Sequence, residues 1–170
     1  MTRAAAAIGL ATLFMLAAAA PGTGGQAEAR APGPCSVTTV GGATVHVYCG
    51  RARATVKFGG KTLTFRGGNC GVVKSSLAQG WGLGIGKYTV PPAKPRFKYF
   101  GVAYFGTPKA GTYKKGEFVV TFFLPGKTYS VIGSPLGTPA MTVTVTKGAK
   151  KGSFTGVLSG SKKVSGQWTC

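Results

Sequence analysis

Met141-Thr142-Val143-Thr144-Val145-Thr146 alternates apolar and hydroxylated residues with a period of two. That is the pattern of a strand with one buried and one solvated face, so Met141, Val143 and Val145 are expected inside and the three threonines outside. The β-branched side chains at most of these positions favour an extended backbone over a helix. Outward from this stretch the same alternation recurs in short runs at 43–49, 52–58, 61–66, 81–88, 97–105, 117–124, 128–132, 153–158 and 163–170, separated by Gly, Pro, Ser and Lys. No segment of useful length carries a helical period. The expected fold is all-β, an antiparallel β-sandwich of immunoglobulin-like or related type, with a small β-barrel as the alternative.

Two hairpins can be read in register. Gly59-Gly60 between Phe58 and Lys61 is a two-residue turn that sets Val56 against Leu63 and Ala54 against Phe65 on the core face. Pro125-Gly126 joins Phe118, Val120, Phe122 and Leu124 to a returning strand with Tyr129 and Val131. Pro91-Pro92-Ala93-Lys94-Pro95 cannot be a central strand, because proline has no amide to donate, and is read as a linker or edge. In the last run Val164, Trp168 and Cys170 share one parity, so Trp168 is expected in the core beside a disulfide.

The first residues belong to export and not to the fold. Arg3 precedes an apolar run dominated by alanine that ends at Pro21, and Ala27-Glu28-Ala29 offers small residues for cleavage, so 1–29 reads as a signal peptide and 30–170 as one domain. Pro32-Gly33-Pro34 before Cys35 does not form a lipidation box, so a freely secreted product is expected. Four cysteines in an exported chain imply two disulfides. Of the three connectivities, Cys35 with Cys49 and Cys70 with Cys170 is favoured: the first closes a local hairpin and the second ties down the chain end.

Composition removes most catalytic classes. The 170 residues carry 21 Lys and Arg against 2 acids, a net charge of +19, and loss of Arg3 and Glu28 with the signal peptide leaves that charge unchanged and Glu117 as the single acid. Paired-carboxylate hydrolysis needs two acids, and a serine triad needs an orienting one. A closed zinc or calcium site needs more ligands than His46 and Glu117 provide, so neither metal nor cofactor is expected and His46 reads as an ordinary strand residue. An enzyme is not expected.

Phe58-Gly59-Gly60-Lys61, Cys70 after a short strand, Leu83-Gly84-Ile85-Gly86, Gly152-Ser153-Phe154-Thr155-Gly156 and the ending Val164-Ser165-Gly166-Gln167-Trp168-Thr169-Cys170 follow one another in an order that resembles small exported actinobacterial β-sandwich proteins of the 19 kDa lipoprotein-antigen type. The resemblance spans most of the mature chain. It implies a disulfide from Cys70 to Cys170 and a non-enzymatic role. The lipidated N-terminal cysteine of that family has no counterpart here, so membrane anchoring is not implied.

What remains is the charge. On the outward parity of the Gly59-Gly60 hairpin stand Arg51, Arg53, Thr55 and Lys57, facing Thr62, Thr64 and Arg66, so Arg53 falls opposite Arg66. Lys94, Arg96 and Lys98 form a second concentration, alternating with Phe97 and Tyr99, and lysine pairs at Lys114-Lys115, Lys150-Lys151 and Lys162-Lys163 are expected in turns. Such lysines blunt sheet edges and keep a β-protein soluble. A surface without counterions also concentrates polyanions, and Arg51, Arg53, Lys57, Arg66, Lys94, Arg96 and Lys98 are the candidate anion-binding residues of a chain expected to be a monomer. The expected partners are anionic envelope or extracellular polymers such as teichoic-acid-like chains and acidic glycans, or an anionic lipid surface, with nonspecific attraction to nucleic acid and no motif for reading its sequence. The rival readings are a carbohydrate-binding module that stacks sugars on Trp81, Tyr88, Tyr99, Phe100 and Tyr104, and a secreted inhibitor or toxin scaffold.

Overall fold

Thirteen strands form in the computed structural model, which describes residues 33–74, 79–114, 117–132, 141–158 and 162–170. The expected signal peptide lies outside the described residues, as does Lys115. In chain order the strands are β1 (Ser36–Val40), β2 (Ala43–Val47), β3 (Arg53–Phe58), β4 (Lys61–Arg66), β5 (Gly68–Lys74), β6 (Gln79–Thr89), β7 (Tyr99–Phe105), β8 (Gly111–Tyr113), β9 (Phe118–Leu124), β10 (Lys127–Ile132), β11 (Met141–Val145), β12 (Lys151–Leu158) and β13 (Lys162–Thr169). A seven-stranded sheet runs β1-β2-β6-β7-β9-β10, with β5 also paired to β6, and a six-stranded sheet runs β4-β3-β13-β12-β11-β8. Every pairing is antiparallel. The two sheets pack face to face and neither closes, so the fold is the expected β-sandwich and not the barrel. Thirteen strands exceed the seven to nine of an immunoglobulin domain, which places it among the related sandwiches.

Both hairpins form in the expected register. Ala54 pairs with Phe65 and Val56 with Leu63, and Gly59 and Gly60 both take positive φ, 56° and 73°, as a two-residue turn matched to the strand twist requires. The second hairpin pairs Phe122 with Tyr129. Met141, Val143 and Val145 are all buried, as the alternation of β11 dictates.

One apolar cluster drawn from both sheets fills the interior. Trp81 of β6 meets Trp168 of β13 at 6.2 Å, Phe100 of β7 stacks on Phe154 of β12 at 6.0 Å, and Phe58 of β3 meets Phe122 of β9 at 5.9 Å. Each such aromatic pair adds about 0.5–1.5 kcal/mol beyond the area it removes from water. Trp168 is 2% exposed, and its indole Nε1 donates to the Ala149 carbonyl at 3.2 Å, so its one polar atom is satisfied. Its partner across the ladder is Gly152, and a Cβ there would run into the Trp168 ring; the glycine is what lets the indole lie flat against the sheet.

A second cluster, Tyr48, Tyr88, Tyr99 and Phe123, lies on the other side of the seven-stranded sheet. Tyr99 precedes core-facing Phe100 and therefore points the opposite way. The disulfides are Cys35–Cys49, across the β1–β2 hairpin with Cα atoms 5.7 Å apart, and Cys70–Cys170, with Cα atoms 5.8 Å apart. The second joins β5 of one sheet to the residue after β13 of the other and so staples the sandwich.

Three strands escaped the sequence reading for different reasons. All five residues of β1 are exposed, so it has no buried parity to alternate. Two glycines and an asparagine obscure β5, and β8 is three residues long. Arg51 is not on the strand with Arg53 but precedes it; the chain bends at Gly50, whose φ is 130° and where a Cβ would run into the Gly68 carbonyl. Phe97 and Lys98 likewise precede β7, and Lys162 and Lys163 lie within β13 instead of in a turn.

Candidate anion-binding face

The outer surface of the six-stranded sheet is built by parity. Once Ala54, Val56, Phe65, Val143, Val145, Phe154, Val164 and Trp168 are buried, their neighbours must face water. Because β4, β3, β13, β12 and β11 are in continuous register, these outward residues fall into rows that cross the sheet. One row is Thr64, Thr55, Gln167, Ser153, Thr144 and Thr112, one residue from each strand. On one side of it lies Arg66, Arg53, Thr169 and Lys151, and on the other Thr62, Lys57, Ser165, Thr155 and Thr142. Rows are about 7 Å apart, two residues along a strand.

At the end of the sheet nearest the Gly59-Gly60 turn the face is concave. An open groove of about 680 Å³ is lined by the lysines 57, 61 and 163, by the hydroxyls of Thr62, Thr142, Thr155 and Ser165, and by Val157, which is 44% exposed opposite Lys163. Glu117 sits between β8 and β9, and the sequence holds no other acid after Glu28, so no described strand of either sheet carries a carboxylate side chain. The groove therefore presents ammonium and hydroxyl donors without internal competition for them, a combination that binds phosphate, sulfate or carboxylate oxygens.

The seven sequence-derived candidates divide between two places. Arg53, Lys57 and Arg66 are exposed on this face, with Arg53 directly across from Arg66, and Arg51 is exposed just before β3. Lys94, Arg96 and Lys98 are exposed in the connection between β6 and β7 of the other sheet, where Arg96 reaches the β1–β2 turn. Arg96 is committed to structure there: its Nη2 donates to the Gly41 carbonyl at 3.2 Å and its amide donates to the Thr89 hydroxyl at 3.2 Å. Phe97, which alternates with these charges, lies under the Lys87 ammonium, 5.2 Å from the ring centroid. Neither Lys61 nor Lys163 is among the sequence-derived candidates: Lys61 stands in the same hairpin as Lys57 but across from Phe58, on the parity opposite the Lys57–Thr62 pair, and Lys163 comes beside Lys57 only through the long-range pairing of β13 with β3.

The aromatic residues considered for sugar stacking are not available. Trp81, Tyr88, Tyr99 and Phe100 are buried, and half-buried Tyr104 packs on Phe118 and Tyr113 at 4.6 and 5.4 Å. Period-two alternation does not reveal which sheet faces are covered. Burial holds the Tyr99 hydroxyl far above the ordinary tyrosine range, and raises Tyr48 and Tyr88 as well. His46 lies on β2, where burial lowers its pKa and its Nδ1 is buried without a partner. Among the described residues no group of three His, Cys, Asp or Glu side chains is placed to hold a metal ion.

No protein-family model, curated protein or solved structure matches this chain.

Proposed function

We propose that this domain is an extracellular, non-enzymatic binding protein that holds an anionic polymer on the outer face of its six-stranded sheet. The observation that carries this reading is the groove in which three lysines and four hydroxyls converge with no carboxylate among the lining residues. A net charge of +19 adds long-range attraction, which raises encounter rates but selects no partner. Two disulfides accord with an oxidising compartment, and with the signal segment they support secretion. The same charge disfavours self-association, so the protein acts as a monomer without metal or cofactor. The resemblance to the exported lipoprotein-antigen family, itself non-enzymatic, points the same way.

The test compares two charge-matched triple variants for binding of fluorescent dextran sulfate over a range of salt. Lys57→Gln with Lys61→Gln and Lys163→Gln removes the groove charges; Lys94→Gln with Lys98→Gln and Lys127→Gln removes as many elsewhere. The groove variant should weaken binding about tenfold or more and flatten the log–log salt slope by about 2, since each lost contact with a flexible polyanion removes about 0.7. Equal losses from both triples would replace the localised site with diffuse attraction.

A further inference from the structure

We infer that the polymer is an acidic polysaccharide lying across the strands of the six-stranded sheet, with its sugar hydroxyls on the central row of Thr64, Thr55, Gln167, Ser153, Thr144 and Thr112. This rests on the anionic-polymer reading above and names the polymer.

Three features of the face select this class. The first is hydrogen-bonding capacity. A ligand read by charge alone needs only lysine and arginine, yet the central row is made entirely of hydroxyl and amide side chains, and the row that holds Lys57 otherwise carries hydroxyls. Thr112 and Thr144 bond each other at 3.0 Å and each keeps further capacity, while Thr55, Thr64, Ser153 and Gln167 have no side-chain partner among the described residues. Groups that both donate and accept match sugar hydroxyls, which do the same.

The second feature is spacing. Adjacent strands offer one such group about every 4.8 Å, and the six strands carry the row over roughly 24 Å. A pyranose residue in an extended chain advances by about one strand spacing, so successive sugars meet successive strands. The sheet twists about the axis that runs across its strands, so the central row stays nearly straight while the strand ends fan out. A chain laid on this row has Arg53, Arg66 and Lys151 along one flank and Lys57 along the other, with Lys163 one row further out, so cations stand on both sides for carboxylates or sulfates that project from the edges of the sugar ring.

The third feature is what the face lacks. The aromatic side chains of this sheet, Phe58, Phe65, Tyr113, Phe154 and Trp168, belong to or pack on the core, so nothing stands ready to stack nucleic-acid bases. Val157 is the exposed large apolar residue on this face among the described ones, too little to enter a bilayer.

The experiment pairs a polyuronate, alginate, with linear polyphosphate, a polyanion that has no hydroxyls on its repeating units. The triple variant Thr55→Val, Thr144→Val and Ser153→Ala keeps strand-compatible side chains and the full positive charge. It should lower alginate affinity about tenfold, the loss of two or three modest hydrogen bonds, and leave polyphosphate binding within about twofold. Thr55→Ser with Thr144→Ser keeps the hydroxyls and should keep alginate binding, which guards against a folding defect. A triple variant that binds alginate as the parent does, or that loses both polymers equally while the serine variant does too, overturns the inference. Binding of polyphosphate but not alginate by the parent protein removes the polysaccharide and leaves the polyanion reading standing. Failure to bind either polymer removes both.

Discussion

Replacing Arg66 by glutamate should make the free protein more stable and a poorer binder. The β3–β4 hairpin closes on a two-residue turn at Phe58 and Lys61, a hydrogen-bonded pair, and counting back in alternation makes Arg53 and Arg66 a non-hydrogen-bonded pair, the kind whose side chains stand closest. Two exposed charges about 7 Å apart in water repel by about 0.6 kcal/mol, and changing one sign converts this to a similar attraction. The swing is about 1 kcal/mol at low salt. For a domain of this size that is about 3–5 °C in Tm. Urea denaturation followed by tryptophan fluorescence, with both indoles in the core, measures it directly. Because the pair is exposed, the gain should shrink in 1 M salt, where the screening length falls to about 3 Å. In parallel, dextran sulfate affinity should fall, since a cation of the row is replaced by a repelling anion. An Arg66→Glu protein that is destabilised at low salt, or whose gain is the same in 1 M salt, would refute the cross-strand repulsion and the argument that an external anion relieves it.

Replacing both Cys70 and Cys170 by serine should cost about 4.7 kcal/mol, the chain-entropy value for a loop of 100 residues, whereas opening the 14-residue loop of Cys35 and Cys49 should cost about 3 kcal/mol; denaturant midpoints of the two double variants decide the order. Because burial holds the His46 pKa below its ordinary 6.5, the unfolded chain binds its proton first, so this contribution to stability is complete above about pH 6.5 and is lost as pH falls toward the folded-state value; His46→Gln should flatten the denaturation midpoint against pH in that acid window. At the alkaline end, Tyr99 should resist ionisation in a 295 nm absorbance titration until the protein unfolds, because its raised pKa favours the neutral folded form below pH 10 and that stabilisation is lost as pH climbs past it.

Local chemistry made much of the fold legible. Alternation in the 141–146 run set its parity, Gly59-Gly60 and Pro125-Gly126 set two registers, and the placement of Arg53 across from Arg66 followed from the first of these without any knowledge of the rest. These are short-range constraints: a two-residue turn fixes which residues face each other, and a period of two fixes which side of the strand they occupy. Cysteine parity and spacing likewise favoured the pairs that form.

Tertiary structure decided which strands meet and which sheet faces are covered. Nothing local says that β13 lies between β3 and β12, yet that placement alone aligns Thr55, Gln167 and Ser153 into a row and brings Lys163 to Lys57 and Lys61, which the β3–β4 hairpin already holds together. Nor does alternation distinguish an aromatic exposed on a wet face from one covered by a second cluster, as Tyr88 and Tyr99 are. The sequence by itself determined a β-sandwich of high positive charge with two disulfides in prospect. The site required long-range register, because a ladder between strands distant in the chain is chosen by packing both sheets around one core and not by any residue's own preference.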